Sequence, residues 1–389
     1  MRCQRCGNTD PSYFYQGHHG YYCRKCIRFK RILVSEELEP KAYEVNEGAG
    51  EYKLKYALTK AQLKASDEVI EVLNKHMDVL LKCVCGAGKT ELTVAAIAKY
   101  LMSKQKVIYA IARREVVIEL AQRFKQIFPQ AKVATLCEGY HEIDGDLVVC
   151  TTHQLYRFSK SVDLLILDEV DAFPFKGDEV LMNIALNSLS SCGQIIYSTA
   201  TVDEMLQEFI RKRPYQVVSL NERPHGYPLI EPKVILLPSL VLYLYAAYLA
   251  RKTVQPLIIF VETKHQAKHL GKFLNMFVKT TYVYSDLEMR NQNIMAFKEH
   301  KYRVIVATSV LERGITIPGV NVIIINLTKG ILDEASLVQM SGRVGRTFDY
   351  PKGEAYILTN VYQREIRHAL HTIHTANQMS LLSKGQTAQ

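Results

Sequence analysis

The stretch Val79-Leu80-Leu81-Lys82-Cys83-Val84-Cys85-Gly86-Ala87-Gly88-Lys89-Thr90 decides the fold. Val79–Val84 is apolar apart from Lys82 and of strand length, Cys83–Thr90 has the spacing of a phosphate-binding loop, and Glu91–Leu101 is compatible with a helix. Strand, glycine loop and helix in that order form the context in which such a loop holds a nucleotide. The glycines let backbone N–H groups approach phosphate oxygens, the lysine neutralises charge at the β and γ positions, and Thr90 offers a hydroxyl to Mg²⁺. The expected nucleotide set is Cys85, Gly86, Ala87, Gly88, Lys89, Thr90 and Glu91. Cys83 stands where the usual first glycine would be, a position that needs only to suit a strand end.

Around this stretch, alternating apolar strands and amphipathic helices run from about residue 57 to the end, the pattern of parallel sheets crossed by helices. Strands are expected at Val107–Ile111, Leu147–Cys150, Leu164–Leu167 and Ile195–Tyr197, and in a second set at Leu257–Val261, Thr280–Tyr284, Val304–Ala307 and Val322–Ile325. Between the sets, Asn221–Pro232 carries three prolines and a glycine and reads as an irregular linker. The chain of 389 residues, 48% hydrophobic and 23% charged, is too apolar to be disordered and long enough for two or three domains.

Two further constellations carry chemistry. Leu164-Leu-Ile-Leu runs into Asp168-Glu169-Val170-Asp171, so a buried strand would deliver Asp168 to a sheet edge as a ligand for Mg²⁺, with Glu169 orienting the attacking water. Gln339-Met-Ser-Gly-Arg343-Val-Gly-Arg346 puts two arginines three apart on an expected helix, on one face, where both could reach a transferring phosphoryl group.

Lys and Arg number 49 against 39 Asp and Glu, a net charge of +10 that suits a polyanion binder. Nine cysteines and the absence of an apolar leader after Met1 suggest a reducing cytosol. Val234–Ala250 is apolar, but Pro238 and Ser239 interrupt it, so it reads as a buried strand followed by a core helix capped by Ser239. Cys3-x2-Cys6 and Cys23-x2-Cys26 have the spacing of a tetrahedral four-cysteine zinc ribbon, and Gly7 permits the turn that points N–H groups at sulfur. Around Cys26, five positive charges fall within Arg24–Arg31, next to Tyr21, Tyr22 and Phe29. Such a surface could stack bases or dock a protein. The other five cysteines read as small core residues.

In this order the motifs resemble those of superfamily 2 helicases and translocases. Leu58-Thr-Lys-Ala-Gln62 is similar to the adenine-reading segment, and Ser198-Thr199-Ala200-Thr201 to the motif that couples hydrolysis to movement. Ala307–Thr316, with Gly314, resembles motif V, and Gln339–Arg346 motif VI. The details Asp168–Pro174, Arg223-Pro-His-Gly and Leu311–Pro318, with the four-cysteine start, resemble the competence ATPase ComFA family. The resemblance implies two tandem RecA-like α/β domains preceded by a zinc ribbon. The expected layout is a zinc module at 1–35, a tether at 36–56, the ATP-binding domain at 57–221, a linker at 222–233 and the helicase C-terminal domain at 234–389. It also implies a cytoplasmic, ATP- and Mg²⁺-dependent motor on single-stranded DNA, peripheral to the membrane, with a ComFC-like protein and a membrane DNA channel as partners. Arg113, Arg114, Thr152, His153, Thr263, Lys264, Ser285 and Thr308 fall where the superfamily touches the phosphodiester backbone. A helicase of replication restart or recombination, an RNA helicase and a non-catalytic adapter are the competing readings. Thr316, where RNA helicases of the DEAD-box type usually have Asp, speaks against RNA unwinding.

Overall fold

The computed structural model describes residues 1–40, 43–312, 317–327 and 332–386. The chain divides into two compact units, Met1–Cys83 with Gly88–Leu220, and Val84–Ala87 with Asn221–Gln389.

The first unit opens with a hairpin, β1 (Phe14–Gly17) and β2 (Gly20–Cys23). There follow α1 (Lys60–Asn74), β3 (Asp78–Cys83), α2 (Lys89–Met102), β4 (Val107–Ile111), α3 (Arg114–Ile127), β5 (Val133–Cys137), β6 (Tyr140–His141) and β7 (Leu147–Thr151). The unit is completed by β8 (Val162–Asp168), α4 (Glu179–Ser188), β9 (Leu189–Thr199), α5 (Glu204–Ile210) and β10 (Tyr215–Leu220). The large sheet has the order β10-β3-β9-β8-β4-β7-β5-β6, parallel except for the β5–β6 pair. Every residue of β4 and β5 is buried, as a sheet covered on both faces requires. Each Ile, Leu or Val so placed contributes roughly 1.5–3 kcal/mol.

Because the strands are parallel, their C-terminal ends share one edge, and that is where an open α/β sheet presents its ligands. Residues 36–56 hold no helix or strand among those described, yet they lie along this unit. Buried Asp146 accepts from Asn46 N (3.0 Å), Asn46 Nδ2 (2.9 Å) and Lys132 N (2.7 Å), and Lys53 N donates to Ile127 O at 2.8 Å.

The second unit contains β11 (Lys233–Leu236), α6 (Ser239–Lys252), β12 (Leu257–Phe260), α7 (Lys264–Leu274), β13 (Thr280–Val283) and α8 (Arg290–Lys298). It continues with β14 (Val304–Ala307), β15 (Asn321–Asn326), α9 (Glu334–Ser341), β16 (Ala355–Thr359) and α10 (Arg364–Gln386). Its sheet, β11-β16-β15-β12-β14-β13, is wholly parallel.

Several local expectations need correction. β11 is an edge strand with Leu236 exposed, so it is not the buried strand its apolar sequence suggested. Ser239 is the first residue of α6 and makes no capping bond; Pro238 holds the cap position. Helix α9 ends at Ser341, and Arg343 and Arg346 lie in the turns that follow, since Gly345 adopts φ +68, which a continuing helix does not allow. Cys192 is exposed and belongs to no core. Among the described residues no helix is long and apolar enough to cross a membrane.

Candidate active site

Five adjacent strands of the first sheet, β3, β9, β8, β4 and β7, end at the groups singled out by sequence: the glycine loop after β3, Ser198 and Thr199 on β9, Asp168 on β8, Arg113 after β4 and Thr152 after β7. The loop turns through Ala87 N to Val84 O at 3.1 Å, with Gly86 at φ +83 and Gly88 at φ +85. A side chain at Gly88 would be strained by that φ, and its Cβ would sit 2.5 Å from Gln62 Nε2, so the Gln62 amide would have to move to admit it. Gln62 reaches that point because it is the third residue of α1, held in a reciprocal capping box with Thr59. Its Oε1 accepts from Thr59 N at 3.0 Å. Lys89 and Thr90 open α2, and Glu91 pairs with Arg123 of α3, which directs it toward a neighbouring helix.

The carboxylate of Asp168 is 8% exposed and accepts three hydrogen bonds. Ser198 Oγ donates to Oδ1 at 2.8 Å, Glu169 N to Oδ1 at 2.9 Å and Tyr109 Oη to Oδ2 at 2.9 Å. Asp171 accepts from Thr201 Oγ1 at 2.9 Å, and Thr199 Oγ1 bonds to the backbone of Thr201. The Ser198–Thr201 stretch is thus fastened directly to Asp168 and Asp171, with Ala200 buried between. Glu169 has φ +56, an uncommon conformation for a residue with a side chain. Tyr109 is the group that sequence reading missed. It is fully buried on β4, its hydroxyl is pushed well above the ordinary tyrosine value by burial and by Asp168, and nothing local in Val107–Ile111 announces the contact.

The residues expected to touch nucleic acid are placed unevenly. Arg113 occupies the cap position of α3, while Arg114 Nε donates to Glu138 O at 2.8 Å. Thr152 is buried with its hydroxyl unpartnered, and His153 beside it is half-buried, its pKa lowered by burial. In the second unit Thr263, Lys264, Ser285 and Thr308 follow β12, β13 and β14, three neighbouring parallel strands, and so share one sheet edge. Thr263 caps α7, and Lys264 pairs with Asp286 at 2.7 Å. Ser285 Oγ also donates to Asp286 at 3.3 Å.

Gln339 is buried in α9, Arg343 Nε donates to Glu312 O at 2.9 Å, and Arg346 Nε to Gly342 O at 2.8 Å. Gly314, with Arg313 and Thr316, lies outside the described residues. A second unforeseen residue is Arg223 of the linker. It is 2% exposed, donates to Val344 O, Gly345 O and Gly342 O at 2.6–3.0 Å, and has its pKa lowered to about 10 by burial.

Cys3, Cys6, Cys23 and Cys26 are buried with all four Sγ atoms within 4.8 Å of one another. The Cys3–Cys26 and Cys6–Cys23 sulfurs are 3.7 Å apart. That is too long for a disulfide and matches the edge of a tetrahedron with Zn–S of about 2.3 Å, whose S–S distance is about 3.8 Å. Gly7, at φ +68, turns its N–H back to Cys3 O at 2.9 Å. The donor set therefore fits zinc in number, chemistry and spacing.

Comparison with known proteins agrees with this geometry. Residues 59–209 match the DEAD/DEAH box helicase family and residues 237–348 the helicase conserved C-terminal domain. Competence protein ComFA of Streptococcus pneumoniae is 32% identical over 96% of this chain and 90% of its own length. Its namesake in Bacillus subtilis is 30% identical over 91% and 80%. Among solved structures, S. cerevisiae Dbp5 bound to RNA and ADP BeF3 shares the fold, with a TM-score of 0.60 at 20% identity over 82% of this chain and 92% of that one. With the paired acids, the glycine loop and the cysteine cluster in place, the chain belongs to the competence protein ComFA family and is an ATP-hydrolysing helicase-type enzyme.

Proposed function

We propose that the chain is a single-stranded DNA-stimulated ATPase and translocase that drives DNA uptake in natural transformation. The observation that carries this reading is the direct fastening of Ser198 to Asp168 and of Thr201 to Asp171. A change at the γ-phosphate side of Asp168 and Glu169 is passed to a segment that leaves the same sheet edge as Arg113, Arg114, Thr152 and His153, the expected nucleic-acid contacts of the first unit. In this reading Lys89, Thr90 and the loop N–H groups hold the phosphates, and Asp168 holds Mg²⁺, which supplies charge neutralisation at the transferring group. Glu169 orients water, Gln62 reads the base, and Gln339, Arg343 and Arg346 take the roles that motif VI has in the superfamily they resemble.

Zinc at the four cysteines orders residues 1–35. The net charge of +10 favours a polyanion, and the family supports a ComFC-like protein and a membrane DNA channel as partners at the inner membrane face. ATP hydrolysis measured with and without single-stranded DNA, alongside Lys89→Ala, tests the proposal. Stimulation by DNA beyond that by an RNA of equal length, abolished in Lys89→Ala, is expected. A rate indifferent to DNA, or undiminished in the variant, refutes it.

A further inference from the structure

The five positive charges of Arg24–Arg31 divide into two groups in the fold. Lys25 Nζ lies 3.1 Å from Glu179, and Arg28 pairs with Asp178, both acids at the start of α4. Between these ion pairs Phe29, 3% exposed, is seated 6.1 Å from the His153 ring and 5.9 Å from that of Tyr156. Arg5 stacks on Tyr156 at 5.5 Å, and its carbonyl accepts from Asn187 Nδ2 at 2.7 Å. The cysteine module is therefore fixed to Thr152–Arg157, the turn that leaves β7 and carries Thr152 and His153.

The remaining charges, Arg24, Lys30 and Arg31, are exposed and have no acidic partner among the described residues. Two of them, Arg24 and Arg31, lie against tyrosines of the hairpin. Tyr15 pairs with Tyr22 across β1 and β2, on the face opposite Phe14 and Cys23, with ring centroids 5.7 Å apart. Arg24 lies 5.9 Å from the Tyr15 ring and Arg31 4.8 Å from the Tyr22 ring. Tyr15 is 54% exposed. A folded module with its inner face already docked thus presents an outer face of solvent-facing tyrosine with unneutralised guanidinium groups.

We infer that this hairpin face is a stacking platform for single-stranded DNA, extending the strand's path from the turn at Thr152–Arg157 onto the cysteine module. Exposed aromatic rings stack on any base, and the adjacent arginines meet the phosphates, so the site is tolerant of sequence, as an uptake motor needs. The inference rests on the DNA-motor reading and adds to it a second region of contact.

The test uses the full chain, a fluorescein-labelled thymidine oligomer followed by anisotropy, and two variants, Tyr15→Ala and Arg24→Ala/Arg31→Ala. Loss of a stacked base is expected to raise Kd by about tenfold or more in Tyr15→Ala. The arginine pair should also flatten the salt dependence of log Kd by about 1.4, from about 0.7 per phosphate contact. Both variants should keep the parent's metal content and its ATPase rate at saturating DNA. Oligomers carrying iododeoxyuridine should photo-cross-link to the hairpin.

Parent-like affinity in both variants, within about twofold, overturns the inference. So do cross-links confined to residues outside the module, as expected if the hairpin serves a protein partner instead. The two readings fail separately. DNA binding without ATPase stimulation in the parent sinks the translocase and leaves the platform standing, whereas stimulation with unchanged variant affinity does the reverse.

Discussion

Tyr109→Phe offers the sharpest test of the catalytic geometry. The substitution removes one oxygen and leaves the ring, which packs against Phe124 at 5.3 Å. What is lost is the 2.9 Å hydrogen bond to Asp168 Oδ2, one of three donors to a carboxylate that is 8% exposed. A hydrogen bond to a charged acceptor is worth about 1.5–3 kcal/mol, and its loss leaves Oδ2 free to rotate away from the orientation that Ser198 and Glu169 N define at Oδ1. At about 1.4 kcal/mol per factor of ten, kcat/KM for ATP should fall about 10- to 100-fold, with half-saturating Mg²⁺ raised. Steady-state hydrolysis across a Mg²⁺ titration measures this, and circular dichroism checks that the fold survives. Ser198→Ala should cost a similar amount, and the double variant less than the sum, because both donors position one carboxylate. A Tyr109→Phe enzyme with kcat/KM within about twofold of the parent would refute the positioning role.

Two other predictions follow from buried groups. Zinc should co-purify with the parent chain, and either chelation or Cys23→Ser should unfold residues 1–35 while the sheet of the first unit keeps its secondary structure; a native protein free of zinc by metal analysis would refute the site. Lys106, buried beside the Tyr43 ring at 4.0 Å, has its pKa lowered to about 8 by burial. The unfolded chain then binds that proton more tightly, so stability should rise as pH climbs from about 8 toward 10.5, by about 2 kcal/mol between pH 7 and pH 9.5. Denaturant titrations should show the rise in the parent and not in Lys106→Met; equal pH profiles would exclude Lys106 as its source.

Legibility in the sequence followed locality. Val107–Ile111 and Val304–Ala307 are strands to the residue, because short apolar runs between polar breaks leave no other assignment. β10 is not legible in the sequence, since Tyr215-Gln-Val-Val-Ser-Leu is an edge strand with Gln216, Val217 and Ser219 exposed, and its alternation is weak. The acids and the glycine loop were readable from residue type and spacing. Tyr109 and Arg223 were not, because their partners lie 59 and about 120 residues away in sequence. Arg223 sits in a segment whose prolines announce irregular backbone and say nothing of where its guanidinium goes. Around Arg343 the sequence overstates the helix for the opposite reason. Its residue pattern suits a helix, and the left-handed turn at Gly345 that rules this out is set by the surrounding fold.

The seat of Phe29 against His153 and Tyr156 has a consequence for handling the protein. If metal holds the cysteine module in shape, metal loss does more than loosen a terminus: it lifts a cover and leaves the aromatic faces of His153 and Tyr156 bare to solvent. Metal-starved protein would then announce itself first as adhesiveness, in self-association and retention on apolar resins, before its catalytic core had lost any strand.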